Sequence, residues 1–217
     1  IEGEAILQWQ MAGLMLGGII AGVIADKKGR LSVLFGSILF YSLANIANGM
    51  VTTVEQYKII RFLAGLGLAG ELGVGITLVS ELIKKEKRGI STSLVAGIGL
   101  TGAVVAYFMK ENFHWRTCYY IGGGLGMLLL ILRISVFESG MFKEVKKMDV
   151  QRGNFFMLFT NADRFKRYLT SILIGLPTWF VIGVLVAFSN DFGKLMGIKE
   201  EIDPGKAIMY AYVAISI

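Results

Sequence analysis

Gly22-Val-Ile-Ala-Asp26-Lys27-Lys28-Gly29-Arg30 is a short charged segment that lies between two long apolar runs. The runs Ala5 to Ala25 and Leu31 to Thr53 contain no charged residue. About 20 consecutive apolar residues cross a hydrocarbon layer that is roughly 30 Å thick. Because only residues 26–30 separate the two runs, the sequence predicts an antiparallel helical hairpin whose charged turn lies at one membrane face.

The composition of the whole chain also indicates several membrane spans. Of its 217 residues, 54% are hydrophobic, and the mean hydropathy is +0.63. Soluble domains have less apolar and more charged sequence. The apolar residues form uninterrupted blocks rather than the periodic stripes of core helices. We therefore predict an all-α, polytopic transmembrane helical bundle, with multiple passes through the plasma (inner) membrane and the lipid bilayer as its surroundings.

Lysine and arginine are divided unevenly between the predicted loops. Loops 27–30, 84–88 and 133–167 carry three, four and eight of these residues, and the opposite side carries the other seven of the 22. Loops rich in Lys and Arg face the cytoplasm, so these three loops are predicted to be cytoplasmic. The net charge of +6 then reflects membrane orientation rather than nucleic-acid binding. The six predicted spans are roughly Ile6–Ala25, Leu31–Val51, Gln56–Leu82, Ser91–Met109, Thr117–Val136 and Tyr168–Ser189, and a seventh begins near Gly205.

Three further motifs accompany the charged turn. They are Arg61-Phe-Leu-Ala-Gly65-Leu-Gly67 within a span, Glu81-x6-Arg88 after it, and Phe137-Glu138-Ser139 after the fifth predicted span. Together with Gly22-x-x-x-Asp26-Lys27-x-Gly29-Arg30, they resemble the signature motifs of the major facilitator superfamily. The Gly-Glu pair in span 56–82 resembles the metabolite–proton symporters. The Glu81 and Glu138 motifs resemble those of sugar porters, although Phe137 stands where that branch has proline.

The resemblance implies a domain organisation for the chain. Helices two to seven of the family, and the start of the eighth, would be present in a fragment of a longer protein. Residues 1–136 would then be the remainder of the N-terminal six-helix bundle, and 168–217 the start of the C-terminal bundle. Residues 137–167 would form a cytoplasmic linker between them. Its mixture of basic and aromatic residues is typical of a segment at the membrane interface.

The resemblance also implies a cytoplasmic latch, in which opposite charges meet across helix ends and separate as that side opens. We expect Gly22 to permit close helix approach and Gly29 to permit a tight turn. The alternative is that the charges only cap helices and that the turn is solvated. The predicted latch residues are Gly22, Asp26, Lys27, Gly29, Arg30, Glu81, Arg88 and Glu138.

Glu71 is the main candidate for substrate binding or ion coupling. It lies near the middle of span 56–82, where a lone charge costs at least a few kcal/mol. We predict that Glu71 carries a proton or contacts substrate; a structural hydrogen bond to a neighbouring helix is the alternative. The resemblance links Arg61 to proton coupling and cavity structure, and Arg61 lies roughly 15 Å from Glu71 along a helix. Trp179 either lines the cavity or faces lipid.

No pattern in the sequence indicates an enzyme. The chain has one histidine, His114, and one cysteine, Cys118, which excludes most nucleophile–base pairs and a multi-cysteine metal site. Gly65-Leu-Gly67-Leu-Ala-Gly70 matches a dinucleotide fingerprint, but it lies inside an apolar helix with no preceding strand. We therefore expect neither cofactor nor metal.

The predicted function is secondary active transport of a small solute, such as an organic acid or a similar metabolite, by alternating access. Proton coupling and a monomeric state are expected. An uncoupled facilitator of sugars or other small solutes would share every motif. A sensor or a membrane-embedded enzyme derived from a transporter is the remaining alternative.

Overall fold

The computed structural model describes residues 2–132 and 153–216, and every regular element within them is helical. Within these two ranges, six segments are long and apolar enough to cross a membrane, as the predicted fold class requires. Glu138 and most of the predicted linker lie outside the described residues. The helices are α1 Glu2–Lys28, α2 Arg30–Met50, α3 Val54–Leu82, α4 Arg88–Leu100, α5 Gly102–Asn112, α6 Trp115–Leu132, α7 Ala162–Phe180, α8 Ser189–Leu195 and α9 Pro204–Ser216.

The hairpin predicted around the charged turn is present. α1 continues through its charged end to Lys28, and α2 begins at Arg30. Gly29 separates them with a φ of 106°, a left-handed conformation that favours glycine. At the other end of α2, Thr53 and Gln56 form a capping box that starts α3. The turn and the cap thus join three helices in sequence, each antiparallel to the one before it.

Two compact units can be distinguished. The chain leaves the first unit inside α4, between Ser93 and Leu94, returns to it between Asn112 and Phe113, and leaves it again between Asn154 and Phe155. In the first unit, α3 packs against both α1 and α2, and α2 packs against α6. Its apolar core lies at the meeting of α1, α2 and α3. Most other large apolar side chains are exposed, as expected where lipid replaces water. The core residues are Ala21, Ala25, Val33, Leu34, Val74 and Leu78.

Glycine allows α1 and α3 to approach closely. A Cβ atom built on Gly17 would lie 2.5 Å from the carbonyl oxygen of Leu66 and 2.7 Å from its Cα. Gly13 and Gly65 likewise face the backbone of the opposite helix. Small residues at such positions let transmembrane helices pack backbone to backbone.

The second unit contains the rest of α4 with α5, α7, α8 and α9. Here α9 packs against α5 and against the π-helical segment Val181–Val186 that follows α7. α7 contains Pro177, which has no N–H to donate four residues back. The wider helical turns just after Pro177 are typical of a π-type adjustment in a helix.

Two predicted spans differ from the observed helices. The span Ser91–Met109 consists of α4 and α5, because the helix is interrupted at Thr101. The Thr101 hydroxyl donates to the carbonyl of Ile98 at 2.6 Å, a local bond that competes with the helical pattern. The span Tyr168–Ser189 starts earlier, at Ala162, because Asn161 caps the helix there.

Candidate functional site

Arg30 connects the charged turn to α3. Its guanidinium forms an ion pair with Asp26 at 3.0 Å. Its Nε and Nη2 atoms lie 3.1 and 3.0 Å from Oε1 of Glu81, near the end of α3. Nη1 also donates to the carbonyl of Ala25 at 2.9 Å. The side chains of Arg30 and Glu81 are only 15% and 12% exposed, so their attraction is poorly screened by solvent.

The other predicted latch residues have different surroundings. Arg88 donates from Nε to the carbonyl of Ile83 at 3.2 Å, so it caps the end of α3. Lys27 is exposed, and its side chain lies beside Gly153. The structure therefore groups Asp26, Arg30 and Glu81, and places Arg88 on the helix terminus next to them.

Gly22 does not make the close helix contact expected of it in the part of the chain that the structure describes. A Cβ atom built there would meet no atom within 4 Å. Gly22 instead lines a cavity of about 280 Å³, together with Asp26, Arg30 and Thr77. The close contacts of α1 come from Gly13 and Gly17, which face α3.

Arg61 lies among aromatic rings near the start of α3. Its guanidinium carbon is 5.8 Å from the ring centre of Tyr57 and 5.5 Å from that of Tyr119 on α6. The hydroxyls of the two tyrosines hydrogen-bond to each other, and the ring of Trp115 packs against both. The Arg61 Nε atom is buried without a hydrogen-bond partner among residues 2–132 and 153–216. Cation–π attraction thus fixes a positive charge inside a span.

Glu71 and Trp179 belong to separate units. Glu71 is partly buried in the middle of α3, next to the buried Gly70 and close to the buried Val74. Trp179 lies on α7 of the second unit, where the residue is 62% exposed. The role of Glu71 in substrate binding or ion coupling, and that of Trp179 in lining the cavity, stay predictions.

A set of buried polar residues lies on α2, and no sequence motif indicated it. Ser42, Asn45 and Asn48 are 0%, 4% and 0% exposed and recur at intervals of three residues. Gly126 of α6 packs against Ser42. Neither the Ser42 hydroxyl nor the Asn48 amide has a hydrogen-bond partner within the described parts of the chain. Their regular spacing in an uncharged run is the signal that could have identified this polar face, since it puts all three on one side of a helix.

An ion pair in the second unit was also missed. Lys110 at the end of α5 contacts both carboxylate oxygens of Asp203, at 3.1 and 2.9 Å. Asp203 also accepts a hydrogen bond from the Gly205 N–H at 2.8 Å, at the start of α9. Neither residue belongs to a motif, so only the folded arrangement reveals the pair.

The residues that the structure describes contain no group of three or more His, Cys, Asp or Glu side chains that could hold a metal ion.

Comparison with known proteins finds relatives that are described as transporters. The chain is 37% identical to the niacin transporter NiaP of Acinetobacter baylyi over 142 residues, which cover 64% of this chain and 32% of that protein. It is 34% identical to the benzoate transport protein of the same species over 146 residues, 63% of this chain and 31% of the relative. The 4-hydroxybenzoate transporter PcaK of Pseudomonas putida is 31% identical over 146 residues, 65% and 33% of the two chains.

A solved structure agrees with the fold. The partially occluded, inward-open xylose transporter XylE from E. coli superimposes with a TM-score of 0.55 at 19% sequence identity. The match covers 98% of this chain and 57% of XylE. The chain thus matches about a third of the length of the curated relatives and somewhat more than half of XylE.

The named relatives are transporters rather than enzymes. The six candidate spans accord with a multi-pass integral membrane protein. The motifs at Asp26, Arg61 and Glu81 are those on which the resemblance was first based. Residues 5–217 match the model of one family, and the chain belongs to the Major Facilitator Superfamily.

Proposed function

We propose that the full-length protein is a proton-coupled transporter of small, monocyclic aromatic carboxylic acids. We infer the substrate class from the chemistry that the relatives' named substrates share. Niacin, benzoate and 4-hydroxybenzoate each consist of one aromatic ring bearing a carboxyl group. This refines the class of organic acids and similar metabolites expected from sequence. Alternating access would move the substrate past a site near the bilayer midplane.

Two charged residues of α3 are proposed to serve this site. Arg61 supplies a positive charge within a span, where ionisable residues are typically functional. Glu71 lies deeper in the same helix and is proposed to carry the coupled proton or to contact substrate. Because a carboxylate can take up and release one proton, Glu71 could change its charge during each transport cycle.

Asp26, Arg30 and Glu81 are proposed to stabilise the cytoplasmic end of the first unit. Arg30 holds the charged turn against α3 through Glu81, so the turn moves together with that helix. Asp26 is 49% exposed, so part of its carboxylate is available for contacts that change during transport. The transported solute is not proposed to bind at this turn.

Uptake into proteoliposomes tests the substrate class. The purified full-length protein would be reconstituted and supplied with labelled nicotinate, benzoate, 4-hydroxybenzoate or xylose. We expect saturable uptake of at least one aromatic acid, with competition from the other two and no competition from xylose. Uptake of xylose without competition from any aromatic acid would contradict the proposal and favour the sugar facilitator.

A further inference from the structure

An apolar groove runs between α1 and α2 in the first unit. Its volume is about 510 Å³, which lies in the range of cavities that hold small ligands. Leu66 and Gly67 of α3 form its floor. Gly36 on α2 faces it, and a Cβ atom built on Gly36 would meet no atom within 4 Å. Among residues 2–132 and 153–216, no side chain fills this space between the two helices.

The length of the groove corresponds to one leaflet of a bilayer. On α1 it extends from Lys28, beside the charged turn, to Gly17, and on α2 from Ser32 to Phe40. At 1.5 Å per residue these stretches are about 16 Å and about 12 Å long. Half of a hydrocarbon core roughly 30 Å thick is about 15 Å. A chain that enters at the membrane interface would thus end near the midplane.

The mouth of the groove is polar and positively charged. Lys28 and Ser32 are both exposed there. Within the described residues, neither side chain forms a hydrogen bond or an ion pair. A lysine at the end of a span keeps its ammonium in the headgroup region, where it attracts anionic lipid. The groove thus offers apolar walls below a cation at the level of the phosphates.

We propose that this groove binds one acyl chain of an anionic phospholipid, whose phosphate contacts Lys28 and Ser32. The site is separate from the proposed transport residues Arg61 and Glu71, neither of which lines the groove. A lipid held there would fill the space between α1 and α2 and brace the hairpin against α3. The proposal concerns a structural lipid and does not depend on the identity of the transported solute.

Native mass spectrometry of the full-length protein in detergent tests this site. Phosphatidylglycerol and phosphatidylcholine with identical acyl chains would be titrated separately. We expect Lys28→Gln to weaken retention of phosphatidylglycerol about five-fold, because one interfacial basic residue is lost. Retention of phosphatidylcholine should fall less, because its choline group already neutralises the phosphate. Lys28→Arg should retain the preference for the anionic lipid. Gly36→Leu should weaken retention of both lipids, because its side chain occupies the groove.

Two matched variants serve as controls. Lys194→Gln removes an exposed lysine in the second unit, and Gly99→Leu adds a side chain at an exposed glycine with open space around it. Both should retain lipid as the unmodified protein does, and unfolding midpoints would verify that each variant is folded. Equal retention of phosphatidylglycerol by the unmodified protein, Lys28→Gln and Gly36→Leu would overturn the proposal. Displacement of the lipid by benzoate would also overturn it, since the groove would then hold substrate.

Discussion

Arg30 is the residue that most directly ties the ends of α1 and α3 together. We expect Arg30→Gln to destabilise the full-length protein by about 3 kcal/mol, because it leaves the mostly buried Glu81 without its charged partner. Unfolding in detergent micelles would measure the change. Arg30→Met combined with Glu81→Met should recover most of the loss, since both charges of this pair are then removed.

Asp26→Asn provides the comparison for that variant. It removes the other carboxylate that contacts Arg30, but Asp26 is half exposed and its ion pair is worth less than about 1 kcal/mol. If Asp26→Asn and Arg30→Gln lowered stability equally, the buried pair with Glu81 would not be the main interaction of Arg30.

The sequence shows which charged residues lie at this end of the protein, but it predicts only some of the ion pairs that they form. Asp26 and Arg30 are four residues apart across the turn, so their contact follows from local geometry. The contact of Arg30 with Glu81 joins residues 51 positions apart and depends on how α1, α2 and α3 rotate against one another. Arg88, in contrast, bonds the carbonyl of Ile83 at the end of α3. The spacing of the motifs does not predict which of the two arginines pairs with Glu81.

At the scale of elements, the packing of α1 against α3 depends on which glycines face the partner helix. Gly17→Ala should destabilise the protein by about 1–3 kcal/mol, because the added methyl group meets the backbone of Leu66. The neighbouring Gly18→Ala should leave stability unchanged or raise it by up to about 1 kcal/mol, since its surroundings are open. Thermal unfolding of the two variants would compare them directly. Equal destabilisation would contradict the observed rotation of α1.

The elements themselves were largely predictable, because long uncharged runs can only be membrane spans. The glycine spacing in α1 indicated a packing face, but it could not separate Gly13 and Gly17, which contact α3, from Gly18 and Gly22, which do not. The interruption at Thr101 was not predicted either. Both the N–H and the hydroxyl of Thr101 donate to the carbonyl of Ile98 there, within an otherwise continuous apolar run.

At the scale of the whole molecule, the pair Lys110–Asp203 joins α5 to the start of α9. In the proposed division of the chain, α5 belongs to the N-terminal bundle and α9 to the C-terminal one. We propose that in the full-length protein this contact restrains opening on the side of the membrane opposite the charged turn. The hydrogen bond from Lys110 holds the pKa of the Asp203 carboxyl below its ordinary value of 3.8. The ion pair therefore contributes its full stability above pH 3.8, where Asp203 is ionised in the folded and the unfolded protein. This stability is lost as the pH falls through the lowered pKa of the folded protein.

Breaking this pair should favour opening at neutral pH. A cysteine placed at Tyr107, which lies beside Gly205, would report opening in a Cys118→Ser background. We expect Lys110→Glu to increase its labelling by a membrane-impermeant maleimide. The charge-reversed double variant Lys110→Glu, Asp203→Lys should restore slow labelling. Unchanged labelling in Lys110→Glu would show that the pair does not restrain this side.

Proton movement driven by substrate is the most direct test of the central claim. Proteoliposomes containing the full-length protein and an internal pH dye would receive benzoate outside, and protein-free liposomes would correct for passive entry of the neutral acid. We predict that the lumen acidifies as substrate enters. Glu71→Gln should abolish this acidification and pH-driven accumulation while leaving part of the counterflow exchange, whereas Glu55→Gln, on the exposed start of α3, should behave as the unmodified protein. Substrate entry without protein-dependent acidification, or full proton coupling in Glu71→Gln, would contradict the account.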